Sequence, residues 1–191
     1  MSPRGRLARP RVSSFSALEQ AAVRFRPSYE VVDRSERALS IRLRDPQGHR
    51  PDVVLRHRQF RRLFFKANYL VVESDIPGAG PATDGKLAFR FRGPLARQRA
   101  TLRWKDEVDG GEPWIDRLQQ PLLSALRSIE AVEEFGIRWR ARTRTWHLEL
   151  ETMSGSMVGG FMTAMPIAVP LEAGEVEGIV GLVDALAATA D

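Results

Sequence analysis

From Phe135 to Glu151 apolar and polar residues alternate with a period of two. Phe135, Ile137, Trp139 and Ala141 alternate with Arg138, Arg140 and Arg142, and Trp146, Leu148 and Leu150 alternate with His147, Glu149 and Glu151. Successive strand residues point to opposite faces, so this pattern predicts a β-hairpin with one apolar and one charged face. A loop over Arg142 to Thr145 would set Ala141 against Trp146, Trp139 against Leu148 and Ile137 against Leu150. On the charged face the same register would place Arg140 beside His147 and Arg138 beside Glu149, a favourable cross-strand pairing.

Other segments take their place around this hairpin. Ser16-Ala17-Leu18-Glu19 fits a capping box, and Leu18, Ala21, Ala22 and Phe25 form an apolar stripe that Pro27 ends, so a first helix is predicted. Strands are predicted at Tyr29 to Asp33, Leu39 to Arg44 and Val53 to His57, with Asp45-Pro46-Gln47-Gly48 as a turn. Phe60 to Phe65 reads as a short helix or loop, and Tyr69 to Glu73 as a strand. Two more strands follow at Leu87 to Arg92 and around Leu102 to Lys105. Ile115, Leu118, Leu122, Leu126, Ile129 and Val132 recur at helical spacing, with Pro121 kinking or restarting that helix. After the hairpin, Ser154-Gly155-Ser156 reads as a turn, Met157 to Ala168 as a third strand, and Val176, Ile179, Val180, Val183 and Leu186 as the stripe of a last helix. Gly174, Gly178 and Gly181 would let that helix lie close to the sheet, or against a helix of a second copy.

The resulting order, α-β-β-β-(β-β-β)-α-β-β-β-α, predicts the α+β class, a mainly antiparallel sheet covered by helices. Displacing the first unit by 107 positions lays Leu39, Ile41 and Leu43 on Trp146, Leu148 and Leu150, which leaves two pseudo-repeated halves, 14–105 and 113–191, as an open reading. Residues 1–13, with Arg4, Arg6, Arg9 and Arg11 among prolines and glycine, read as a flexible basic arm, and 14–191 as one domain.

Composition narrows the chemistry. A chain of 191 residues, 43% of them hydrophobic, can support one core. The absence of cysteine excludes disulfides, thiol nucleophiles and thiolate metal sites. No apolar run reaches the length of a membrane span and no signal-peptide pattern opens the chain, so a cytoplasmic protein without a membrane partner is expected. The net charge of +5 is unevenly spread: the basic residues crowd the first half, and none follows Arg144. That polarity suits an anionic partner, or docking of the acidic end on a basic surface.

Gly80-Pro81-Ala82-Thr83-Asp84-Gly85-Lys86-Leu87 matches GxxxxGK, but Leu87 stands where a magnesium-binding hydroxyl belongs and the following residues alternate like a strand, so a hairpin loop is the better reading. The three histidines have no metal-ligand spacing, and neither metal nor cofactor is expected. Arg138, Arg140, Arg142 and Arg144, joined by Arg90, Arg92 and His147, form a candidate anion-binding face. Met157, Phe161, Met162 and Met165 form a candidate apolar interface. The function these features favour is a non-enzymatic module for protein interaction or self-association with an anion-binding arginine face. A basic nucleic-acid-associated protein is a less favoured alternative, because Trp139 and Trp146 point away from the arginines, and a small enzyme using a His/Glu/Arg cluster is a second.

Overall fold

The structure, a computed structural model, describes residues 13–62, 65–90, 101–105, 112–160 and 167–190. Its first helix, α1 (Ser14–Arg24), begins one residue after Ser13, whose extended backbone and hydroxyl cap the Ser16 amide at 3.0 Å. The cap therefore lies three residues before the Ser16 that the sequence pattern singles out. Leu18, Ala21 and Ala22 are buried on one side of α1 and Phe25 closes it, as the apolar stripe requires.

The strands follow as β1 (Glu30–Ser35), β2 (Ser40–Arg44), β3 (Val53–Arg62), β4 (Phe65–Pro77), β5 (Gly85–Arg90) and β6 (Thr101–Lys105). Then come α2 (Glu112–Arg127), β7 (Val132–Arg140), β8 (Thr145–Gly160), β9 (Ile167–Ala168) and α3 (Ala173–Ala190). This is the α+β order that the sequence predicts. Every pairing is antiparallel, in the order β1-β2-β3-β4-β8-β7-β5-β6, with β9 added to β8. Phe60 to Arg62 is strand, not helix or loop, because it continues the long pairing of β3 with β4. Pro121 sits inside α2 without interrupting it.

One core joins the inward residues of the sheet to all three helices. It includes Leu18, Ile41, Leu55, Leu70, Val72, Leu122, Ile137, Trp139, Trp146, Leu148, Leu150 and Ile179. Each such aliphatic side chain contributes about 1.5–3 kcal/mol by leaving water. Arg42, Arg56, Glu73, Arg138, His147, Glu149 and Glu151 alternate with these positions and occupy the opposite face, which no described helix covers.

The hairpin β7–β8 keeps the predicted faces but shifts its register by two residues. Trp139 pairs with Trp146, Ile137 with Leu148 and Phe135 with Leu150, around a turn at 141–144 in which Arg144 has φ of 50°. On the charged face Arg138, not Arg140, therefore stands opposite His147, and Gly136 stands opposite Glu149.

Ser154-Gly155-Ser156 is no turn. It lies within β8, where the pairing with β4 jumps from Leu70↔Thr152 to Asn68↔Met157, so four residues of β8 bulge opposite Tyr69. Four polar side chains around the bulge are satisfied in the core. Ser154 Oγ donates to Glu175 Oε1 at 2.7 Å, Ser156 Oγ donates to the Thr152 carbonyl at 2.7 Å and accepts the Leu70 amide at 2.8 Å, and Thr152 Oγ1 donates to the Ala131 carbonyl at 3.0 Å. His57 is turned onto the same bulge, its Nε2 donating to the Gly155 carbonyl at 3.1 Å. The predicted third strand is thus divided: β8 continues to Gly160, and Ile167 and Ala168 return as β9 against Val158 and Met157.

Burial holds the His57 imidazole below its ordinary pKa, against the hydrogen bond to Gly155 and the Ser14 backbone, which favour the charged ring. The unfolded chain then binds a proton that the folded chain refuses. Stability contributed here is complete above about pH 6.5 and falls as pH drops below that value toward the depressed folded pKa. Urea midpoints measured from pH 8 to 5 should decline over this range, and the decline should be shallower in His57→Gln.

Gly178 and Gly181 of α3 face α2 and the residues that follow it, not the sheet. A β-carbon on Gly178 would lie 2.8 Å from Ile129 Cγ1 and 3.0 Å from Ser128 Cβ, whereas one on Gly174 would meet nothing within 4 Å. Gly178→Ala should lower the urea midpoint through overpacking, by about 1–3 kcal/mol. Gly174→Ala should leave it unchanged or raise it, since alanine is the better helix former by about 1 kcal/mol.

Candidate functional site

The segment 77–85 seals the end of the sheet. Trp139 Nε1 donates to the Pro81 carbonyl at 2.7 Å and Trp146 Nε1 to the Ala79 carbonyl at 2.8 Å, while the Ala79 amide reaches the Ala190 carbonyl at 2.5 Å. A β-carbon on Gly80 would run into the Trp139 indole. The GxxxxGK segment is therefore a cover over two tryptophans, and it leads into strand β5, not into the helix that a phosphate loop needs.

By fixing β5 beside β7, this cover assembles a row of side chains across the uncovered face. Lys86 on β5 stands opposite Arg138 on β7, Arg138 opposite His147 on β8, and His147 opposite Asp75 on β4. One row thus carries basic residues from three neighbouring strands and one acid at its end. Directly opposed like charges cost a sheet roughly 0.2–1 kcal/mol per pair.

The neighbouring rows are acidic. Glu73 stands opposite Glu149, and Glu134 opposite Glu151. Between the basic and acidic rows lies a shallow depression floored by Gly136 and bounded by Lys86, Arg138, His147, Glu134, Glu149 and Glu151.

The cations of this face differ in how they are engaged. Arg44 bonds Asp52 at 3.1 Å, Arg56 Nε lies 3.3 Å from Glu73, and Arg58 bonds Glu151 at 3.1 Å and also holds Glu149. Lys86, Arg138 and Arg140 make no ion pair among the described residues. Of the sequence-predicted residues, Arg138 and Arg140 lie on this face with His147, while Arg142 and Arg144 are exposed in the turn. The Arg90 backbone lies in β5; its side chain and all of Arg92 lie outside the described residues, as do Phe161, Met162 and Met165. Met157 is described, and it is 3% exposed in the core.

Burial opposes the charge on Glu149, yet the hydrogen bond and charge of Arg58, with Arg138 and His147, prevail and hold its carboxyl below the usual range. On Glu151 burial prevails: its carboxyl is pushed upward, helped by Glu134 and opposed by Arg58. His147 is fixed by Asp75, whose Oδ1 lies 2.7 Å from Nδ1. That contact fixes the orientation of the ring, and no serine, threonine or tyrosine hydroxyl lines the depression. Among the described residues no cluster of three or more acidic or histidine side chains is placed to hold a metal ion, and no helix is long and apolar enough to cross a membrane.

The family model described as protein of unknown function (DUF3156) matches residues 25–190. The chain belongs to the DUF3156 family. No curated protein and no solved structure matches it. The match takes in every described strand of this DUF3156 chain together with α2 and α3, so the depression lies wholly within the family's own segment.

Two contributors to the DUF3156 site escape the sequence pattern. Lys86 is obscured by its place in a loop-like GxxxxGK segment, and Asp75 by its position past the apolar run Leu70-Val71-Val72. Each reaches the row only through pairing between strands that are distant in the chain.

Proposed function

We propose that the protein is a non-enzymatic, cytoplasmic binding module whose uncovered sheet face receives an acidic segment of a protein partner. The partner is a second protein or another copy of the chain. The observation that carries this reading is the pair Lys86 and Arg138, directly opposed and without an ion-pair partner among the described residues. An incoming carboxylate would relieve their repulsion and accept charge-assisted hydrogen bonds from both. Trp139 and Trp146 are 3% and 0% exposed, so they offer no stacking surface for nucleic-acid bases beside these cations.

A labelled glutamate-rich peptide should bind at low salt and dissociate as salt rises. Lys86→Glu/Arg138→Glu should weaken it roughly tenfold or more, since two rim charges are reversed. Arg42→Glu, on the same face but in strand β2, should leave it unchanged. Equal binding by the double variant, with its circular dichroism intact, would remove the assignment. Light scattering at two concentrations separates a second copy from a foreign partner.

A further inference from the structure

Gly136 has no evident duty in the fold. It lies mid-strand in β7, its backbone is not left-handed, and a β-carbon there would make only an ordinary contact of 3.5 Å with Lys86 Cε. Glycine weakens a strand, and in a strand interior it often marks where a ligand or another backbone approaches closely. Here the missing side chain is the floor of the depression.

The two ends of that floor carry opposite charge. Lys86, Arg138 and His147 form one row, and Glu149 stands one step along β8 with Glu134 and Glu151 one step beyond. Arg58 is shared between Glu149 and Glu151, and Glu134 makes no ion pair among the described residues, so the acidic end holds more carboxylates than cations to balance them. Successive outward positions on a strand are about 6.6 Å apart, and the same spacing separates side chains i and i+2 of any extended peptide.

We infer that the partner segment is an extended stretch with an acidic residue followed two positions later by a lysine or arginine, lying over Gly136. The acid meets Lys86 and Arg138, and the base meets Glu149 and Glu134. This rests on the proposed binding of an acidic segment and adds to it the recognition of a cation at fixed spacing. Placing the base one position from the acid would turn the two charges to opposite sides of the extended chain, and only one of them could face the sheet.

Two peptides of equal composition test it, one with a single Glu-Ala-Lys unit and one with a single Glu-Lys-Ala unit in an otherwise uncharged frame, measured against the full chain by fluorescence anisotropy. The first should bind roughly fivefold tighter, the worth of one added charge pair. Glu134→Gln should narrow the difference. Gly136→Val should abolish it while leaving the melting temperature equal or higher, valine being the better strand residue. Equal affinity for the two peptides, or an unchanged preference in Gly136→Val, overturns the inference. The glutamate-rich peptide carries no cation, so its binding to the wild-type chain and loss in Lys86→Glu/Arg138→Glu would still stand in that event. If it too fails to bind, the reading of the face as an anion site falls with it.

Discussion

Trp146→Ala is expected to destabilise the fold by about 3–5 kcal/mol, the loss typical of truncating a large buried aromatic. Trp146 is 0% exposed, its ring lies 4.9 Å from that of Trp139 and 5.7 Å from that of Trp114 on α2, and its indole nitrogen holds the Ala79 carbonyl. The substitution would open a cavity between sheet and helix and unpair that carbonyl of the covering segment 77–85. Against a total stability of roughly 5–15 kcal/mol, much of the folded population is at risk. Urea unfolding should show the midpoint falling with little change in slope. Trp146→Phe keeps a ring but loses the N–H, and should lose only about 1–2 kcal/mol. Similar losses in the two variants would show that packing against the neighbouring indoles contributes little.

Gly155→Val should cost about 2–4 kcal/mol, combining backbone strain with overpacking. Gly155 has φ of 76°, and a β-carbon there would lie 2.6 Å from Leu70 Cδ2. A β-branched residue is a poor fit to that backbone region. Relief by moving the backbone would disturb the His57 contact to the Gly155 carbonyl and the Gly155 amide bond to Val169 at 2.9 Å, which fastens β9 to the bulge. Gly48 offers the contrast: its φ is 71° but a β-carbon would meet nothing within 4 Å. Gly48→Ala should therefore cost only the backbone share, about 1–2 kcal/mol. A Gly155→Val midpoint no lower than that of Gly48→Ala would contradict the close packing of the bulge on Leu70.

The two-residue error in the register of β7–β8 left every side chain on its predicted face, because a strand repeats after two residues. A one-residue error would have exchanged the tryptophans with the arginines. The loop predicted over Arg142 to Thr145 lies one residue earlier, at 141–144, because Arg144 adopts a positive φ without being glycine and no turn residue marks the position. Ser154-Gly155-Ser156 misled for the opposite reason: glycine with a positive φ serves turns and bulges alike, and only the pairing of β4 on one side and β9 on the other makes it a bulge. The orientation of Gly178 toward Ile129 depends on the rotation of α3 against α2, and sequence spacing alone does not tell a sheet from a helix as the neighbour.

The alternation of apolar and charged residues by itself determined which side chains enter the core and which meet water, and the succession of periods set the order of helices and strands. Burying tryptophan, leucine and isoleucine is favourable in any strand arrangement, so that information is local. The order of strands in the sheet is not local. Only the tertiary structure placed β5 next to β7 and β4 next to β8, and thereby set Lys86 against Arg138 and Asp75 against His147. Coulomb energies fall with distance in space, not in sequence, so which cations on the face stay unbalanced was decided when the strands paired.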